Sequence, residues 1–403
     1  MIFQDVVKLT QNAVSQALGE GYKINTGVDE SGNPTYETIG TGNLAALDAS
    51  KLVDVGKDVL DSGSVDVYVK ALLTQMGKMI VVDRKYEDEV PGIMVDTNDW
   101  GGYQMRVYFS PQDLVKDEMY NLIDGQTYED HKFYQPKVSA KIYEEGKDIM
   151  CPISIVREQL FEAFRGWDEM TKFLSGVYQN VLNTITLGTS TYQHMLVSVG
   201  YAIAKDAGNV VHLMKEFYGL GYTETQEKAL KDPAFLRYAL SRIAEIKDNM
   251  KLWTSSYNNG SIPTFSPNAN VLLINKIARS MKFFARPDTY HPDGLGIEDY
   301  DTITAWQAFK SSGVTDFDYS TVSQIKIAAD AANKLGLSSP NEEVNISNAV
   351  GLIYDPMAIG MTLRKSKVTS NYTAIADFWN QYYHQLVNYI IDSNFNMVAI
   401  ALD

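Results

Sequence analysis

One cysteine, Cys151, is all this 403-residue chain contains, so no intrachain disulfide can form and no pair of thiolates can share a metal. Its five histidines, His131, His194, His212, His291 and His384, are scattered without the HExxH or Cys-His spacing that a metal site requires. Cations are outnumbered, 35 against 50 acidic residues, for a formal charge of −15. That balance keeps chains soluble and apart, and it discourages tight binding to phosphate backbones. Long apolar runs are missing too: nothing approaches the roughly 18 residues of a membrane span. The opening residues carry Asp5 and Lys8 where a secretion signal needs an unbroken apolar stretch. These absences exclude a disulfide scaffold, a sequence-reading nucleic-acid protein and a membrane-embedded chain.

Catalytic signatures are equally scarce. The adjacent carboxylates Glu144-Glu145 and Glu342-Glu343 stand in polar stretches, where solvated charge is the ordinary role. The segment Asp96 to Gly102 has the oxygen density of a calcium loop, but Trp100 stands where a ligand belongs and the closing glutamate is missing. Gly219-Leu-Gly and Gly294-Leu-Gly are too short for a dinucleotide loop, and there is no GxxxxGK[ST]. Cys151, between a strand and Pro152, reads as a small buried hydrophobe, His194 as a packing residue in a helix, and His384 as a core or interface residue beside Trp379 and Tyr383. No catalytic, metal or cofactor site is expected.

What the chain does have is an order of elements. Residues 1–63 read as an arm: a short helix from Asp5 to Leu18, then a Gly-, Asn- and Thr-rich extended stretch with little to bury. Ser64 stands as an N-cap before Tyr68, Leu72 and Met76 on one helical face, and a strand over 78–86 completes the segment 64–85. Residues 86–147 read as a long extended loop. In it, Val138, Ala140 and Ile142 alternate with Lys137, Ser139, Lys141 and Tyr143, and a hairpin turn is expected across Glu144 to Lys147. A two-stranded ribbon is marginal alone in water, so this one is expected to lie on a neighbouring subunit.

The segment 148–206 holds the strongest helix, from Asp168 to about Leu187, with Phe173, Val177, Val181 and Ile185 as one stripe and Met170, Leu174, Tyr178 and Leu182 beside it. Gly188 and the Thr-Ser-Thr after it predict a break before a second helix from Tyr192. Residues 207–364 read as an α/β unit, with strands near Val210 and Asn270 and helices over 225–252 and 321–335. In 365–403, as in the run from Gly351, near-continuous apolar stretches mark strands covered on both faces.

This order resembles the major capsid proteins of tailed bacteriophages, the Hong Kong 97-type fold, and more narrowly the coat proteins of phi-twenty-nine-like phages. Trp379-Asn380-Gln381-Tyr382-Tyr383-His384 looks like a Trp-Asn-x-Tyr-Tyr-His stretch at the same place there. Gly351-Leu-Ile-Tyr-Asp-Pro resembles the preceding strand, and Pro136-Lys-Val the start of the returning loop strand. The resemblance implies an α+β chain with an N-terminal arm, an extended two-stranded loop, a long spine helix, a peripheral sheet and an axial α/β domain. In that scheme 64–85 and 148–206 are peripheral, 207–364 axial, and 365–403 return to the peripheral sheet.

By the same resemblance the chain assembles with itself, as hexamers and pentamers of an icosahedral shell around double-stranded DNA. A separate scaffolding protein and a portal protein are implied as partners, with no membrane involved. Lys137, Lys141, Glu144, Glu145 and Lys147 are the candidate subunit-interface residues on the loop, and Lys137, Lys141 and Lys147 would be available to a lysine cross-link that no motif assigns. Two other readings are an encapsulin-like cellular nanocompartment with the same fold, and an α/β enzyme with a site that the sequence does not connect.

Overall fold

The structure is a computed structural model. It describes residues 3–39, 47, 49–61, 65, 67–69, 71–72, 90, 93, 104–109, most of 111–135, 138–143, 146–259, 262–284, 300–304, 306–307, 321–322, 324–329, 337 and 342–403. The expected strand over 78–86 and the loop from Asp96 to Gly102 lie outside these residues. The fold mixes helices and sheets, as the sequence predicts. It divides into two compact units, residues 1–88, 147–190 and 363–387 forming the first, and 89–146, 191–362 and 388–403 the second.

In the first unit the opening segment packs on its own chain, which corrects the expectation of an arm with little to bury. Helix α1, Phe3–Leu18, and helix α2, Ala49–Asp61, bury Val7, Leu9, Ala13, Val14, Val55 and Val59 in one core with Met170, Leu174, Tyr178, Val181 and Ile185. Leu52, Val55 and Val59 recur at helical spacing, a pattern hidden by the polar stretch before it. The hairpin of β1, Lys23–Val28, and β2, Pro34–Thr38, turns on Asp29, whose carboxylate accepts the backbone N–H of Ser31 and Asn33 at 2.9 and 2.8 Å. Those bonds hold the Asp29 carboxyl below its ordinary pKa. β2 is exposed along its whole length, while Ile24 of β1 is buried. Tyr68 and Leu72 are buried on one helical face, as their spacing predicts.

A three-stranded sheet, in the order β14 (Ile359–Thr373), β15 (Phe378–Ile391), β5 (Gly146–Val156), accompanies this core. β15 alternates buried and half-buried positions, so it is covered mainly on one face, where the sequence predicts both. Trp379 and Tyr383 enter the core, and His384 bonds through Nε2 to Thr369 Oγ1 at 2.8 Å. Cys151 is buried beside them, and burial pushes its thiol pKa up.

After the short helix α3, Arg157–Ala163, one uninterrupted helix α4 runs from Trp167 to Asp206, 40 residues and about 60 Å long. No break occurs at Gly188, a correction with a clear cause. A single glycine costs a helix only about 1 kcal/mol. The hydroxyls that would favour a turn instead bond back along the helix, Thr184 to Asn180 O and Thr189 to Ile185 O, both at 2.8 Å.

The second unit holds a five-stranded sheet in the order β6 (Val210–His212), β16 (Met397–Ala401), β13 (Ala349–Tyr354), β7 (Asn270–Ile274), β8 (Asp301–Ile303). Its two outer pairs are parallel and the inner ones antiparallel. The terminal strand β16 therefore belongs to this sheet and not to a returning peripheral one. All five of its residues are buried, and so is every residue of β13. One face packs Val271, Leu273, Ile353, Val398 and Ile400 against the helices Leu213–Tyr218 (α5), Pro233–Asn249 (α7) and Asn275–Phe284 (α8). The other meets α4, where a Cβ on Gly200 would lie 2.4 Å from Ile359 and 3.5 Å from Leu352.

The expected helix over 225–252 is split into α6, Gln226–Ala229, and α7, because Asp232 caps Ala234 N at 2.9 Å and Pro233 starts a new helix. Where a helix was expected from Thr321, the short strands β10 (Thr321–Val322) and β11 (Ile325–Ile327) pair with β9 (Trp306–Gln307) and β12 (Val344–Ile346). Alternation at Ile325 and Ile327, both fully buried, decides for the strand.

Two glycines should respond in opposite directions. Gly188 faces open space, so Gly188→Ala is expected to stabilise the chain by about 1 kcal/mol. A Cβ on Gly351 would lie 2.5 Å from Leu273 and 2.8 Å from a backbone oxygen, so Gly351→Ala should cost about 1–3 kcal/mol. Urea unfolding of the two variants tests both signs.

Candidate assembly surface

A two-stranded ribbon is present in the 86–147 segment. β3, Gln104–Phe109, pairs antiparallel with β4, Val138–Tyr143, with Met105 opposite Ile142, Val107 opposite Ala140 and Phe109 opposite Val138. The expected hairpin across Glu144 to Lys147 is not: β4 pairs with β3, while the next strand β5 belongs to the three-stranded sheet. β4 and β5 therefore belong to two different sheets.

Period-two alternation gives the ribbon one apolar and one polar face, and the structure settles which is covered. At Arg106, Tyr108 and Tyr143 the polar face lies on its own unit, while Ser139 and Lys141 of β4 stay exposed. Asp392, fully buried, accepts a hydrogen bond from Tyr108 Oη and faces Arg106 Nη1 at 3.6 Å. Tyr108 and Tyr143 hydroxyls stand 3.2 Å apart, and Arg106 Nη1 also donates to Met357 O. The Arg106 guanidinium lies 5.4 Å from the Phe395 ring centre and 5.9 Å from that of Tyr143. Burial, and after it the Asp392 carboxylate, raises the pKa of Tyr108. Burial with the hydrogen bonds to Tyr108 and Asp392 raises that of Tyr143 further. Asp392 is itself fixed, its N–H to Ala358 O at 2.8 Å and its carboxylate to Asn394 N at 3.2 Å.

The apolar face is left in solvent. Met105, Val107, Phe109, Val138 and Ile142 are 42 to 68% exposed. Between the strands, Leu114, Met119, Tyr120, Leu122, Ile123 and Phe133 are exposed as well. Sequence reasoning did not single these out, since no period links them; their density in Leu114 to Phe133 was the available signal. An exposed apolar stripe such as the one across β3 and β4 marks an interaction site. Covering one half-exposed aliphatic or aromatic side chain is worth about 1 kcal/mol, so the stripe alone offers several.

Of the candidate interface residues, Lys141 is exposed on the ribbon, its Nζ 5.3 Å from the Tyr143 ring centre. Lys137, Glu144 and Glu145 lie outside the described residues, and Lys147 is placed only by its backbone in β5. Glu342 and Glu343 are exposed, as their polar setting predicts. Among the described residues no group of His, Cys, Asp and Glu could hold a metal, and no helix is long and apolar enough to cross a membrane.

The profile of the Phi29-like phage major capsid protein family matches residues 28–401. This chain belongs to that family. It is a shell-forming coat protein of the virion, and the family is a structural one. Among curated proteins, no relative matches by sequence. Solved structures similar in part include the capsid of Staphylococcus phage Andhra, at 14% identity, a TM-score of 0.47, and coverage of 79% of this chain and 88% of that one. A chain from native bacteriophage P68, in a structure described by its head fiber and inner core protein, gives 15% and 0.48 with coverage of 78% and 85%. One from Mycobacterium phage Cain gives 10% and 0.41 with coverage of 81% and 94%. At such scores the family match alone carries the assignment.

Removing the anchor of a coat-protein ribbon should free it. Asp392→Ala is expected to cost about 3 kcal/mol, by removing the carboxylate that Arg106 and Tyr108 face, and to raise amide exchange over 104–109 and 138–143 while the five-stranded sheet stays protected. Unchanged exchange in the ribbon would count against the anchor. Tyr108 and Tyr143 keep their protons in the folded chain above the ordinary tyrosine pKa of about 10, where the unfolded chain releases them. Their contribution is full below pH 10 and lost as pH rises beyond it. The fall in the urea midpoint between pH 9 and 11 should be shallower in Tyr143→Phe.

Proposed function

We propose that this coat protein builds the icosahedral head shell that encloses double-stranded phage DNA, as hexamers and pentamers of the Hong Kong 97-type arrangement, and that it catalyses no reaction. The supporting observation is the ribbon. Its polar face is satisfied by Asp392 of the same chain, and its apolar face needs a second surface. In a closed lattice that surface is a neighbouring subunit, since such contacts join one patch to a different one by a rotation that closes.

Lys141 on the ribbon, with Lys137, Glu144, Glu145 and Lys147 near it in sequence, is proposed as the charged rim of that contact. Polar rims around an apolar centre are the usual anatomy of an interface. The net charge of −15 suits packing DNA without adhering to it, so DNA is held as contents and not read by sequence. A separate scaffolding protein, a portal protein and assembly in the host cytoplasm complete the proposal. Membership of a phage family favours this reading over a cellular nanocompartment and over an α/β enzyme.

Expression of the full chain with and without a candidate scaffolding protein, followed by electron microscopy, tests the shell. Closed particles are expected, and failure to form them with any scaffolding partner would overturn the proposal. Met105→Glu with Phe109→Glu places charge on the exposed face of the ribbon and should give a folded chain, by circular dichroism, that forms no shells. Normal shells from that variant would remove the ribbon from the contact.

A further inference from the structure

The second unit carries another exposed apolar feature, remote from the ribbon in sequence and built with more care than a stray surface residue needs. Past the end of α7, Trp253 and Phe265 lie with ring centres 5.2 Å apart, 52% and 50% exposed, next to Leu252 at 65%. Their backbone is closed by a bridge between Thr254 and Thr264, with N–H to carbonyl distances of 3.1 and 2.9 Å.

A buried polar network holds that bridge from below. Asn258 Nδ2 donates to Thr264 Oγ1 at 3.0 Å, Thr264 Oγ1 to Asn396 Oδ1 at 3.2 Å, and Asn396 Nδ2 to Ser266 Oγ at 3.0 Å. Asn396 and Ser266 are fully buried. Satisfied buried networks rigidify what they carry, so the aromatic pair is presented in a fixed position. Tryptophan held this way has the character of an interface anchor, with little ordering entropy left to lose.

At the other end of the same sheet there is a matching cavity. β7 begins at Asn270, beside the aromatic pair's loop, and rises about 13 Å to Ile274. There a cavity of about 590 Å³ opens, walled by Leu230, Ile274, Ile277, Trp306, Val350 and Leu402, with Lys276 as its charged lining residue. Its size is within the range of about 300–1,000 Å³ typical of ligand pockets, and its apolar walls are interrupted by polar residues such as Gln226, Thr304 and Asn348. An ammonium group at an apolar cavity suits an aromatic face, which attracts cations, better than it suits an aliphatic one.

We propose that the Trp253–Phe265 pair of one copy seats in this cavity of the adjacent copy, with Lys276 against the rings. The inference rests on the coat-protein reading, because only a self-assembling chain meets its own cavity at every contact. It deepens that reading, because it names the head-to-tail pair: donor and acceptor lie toward opposite ends of β7 and are different patches of the chain, so repeating the contact generates a ring where the rotation closes.

Cysteines placed at Leu252 and Ser347 test it in the full chain, under the conditions in which the unmodified chain forms shells. Leu252→Cys leaves both rings in place, Ser347 lines the cavity, and the native Cys151 is buried and stays silent. Oxidation should give covalent ladders from the double variant, simple dimers from shells that mix the two single variants, and neither from a single variant alone. Intact shells with no mixed dimer would overturn the contact while leaving the coat-protein reading in place, and absence of shells from the unmodified chain would remove both. Trp253→Ala with Phe265→Ala should fold, by circular dichroism, and lose shells. If that variant does not fold, the cysteine experiment decides; if it folds and forms normal shells, the inference fails.

Discussion

A two-stranded ribbon has two faces, and a single polypeptide rarely offers enough surface to cover both. Here the choice between them is made by one buried carboxylate. Asp392 can be kept without water only if charge and hydrogen bonds reach it, and Arg106, Tyr108 and Tyr143 supply them from the polar face of the ribbon. Once that face is turned down, alternation leaves Met105, Val107, Phe109, Val138 and Ile142 no option but to face outward. A buried charge inside the subunit thus creates the apolar surface outside it.

The rest of the molecule is arranged so that this exposure does not compromise the fold. Both cores are closed without the ribbon: one between α1, α2 and α4, the other around a sheet whose central strands are buried from end to end. The aromatic pair at Trp253 and Phe265 follows the same division of labour, with a satisfied polar network beneath and apolar rings above. Exposed hydrophobic groups on rigid supports lose little entropy on association, so each contact can be modest and a lattice of them still cooperative.

Much of this was legible in the sequence, and the parts that were not share a cause. The spacing of Val138, Ala140 and Ile142 gave the ribbon's apolar stripe, and the continuous apolar run Ala349 to Tyr354 gave a doubly covered strand. The motif from Trp379 to His384, set in its order of elements, pointed to the family. Which face of the ribbon would be covered could not be read, because Asp392 lies 284 residues from Tyr108 and no local pattern couples them. The helix through Gly188 was misjudged because turn-forming hydroxyls can bond back to the preceding helical turn, which propensity does not reveal. The first 63 residues looked unsatisfied because α2 followed a polar stretch that hid its Leu52, Val55 and Val59 stripe. For the interface charges, sequence could nominate Lys141 and its neighbours, but not say which of them meet.

The long separation between the ribbon and its anchor also has a bearing on synthesis. During translation, residues 104–143 leave the ribosome well before Asp392 exists, and β6 likewise waits for β16 to arrive at its side. Until then the finger has nothing to clasp and the second sheet lacks an inner member, so a nascent chain has no finished mating surfaces to offer. Docking competence is thereby deferred until Asp392 and β16 have been made, a temporal safeguard against premature clumping on polysomes.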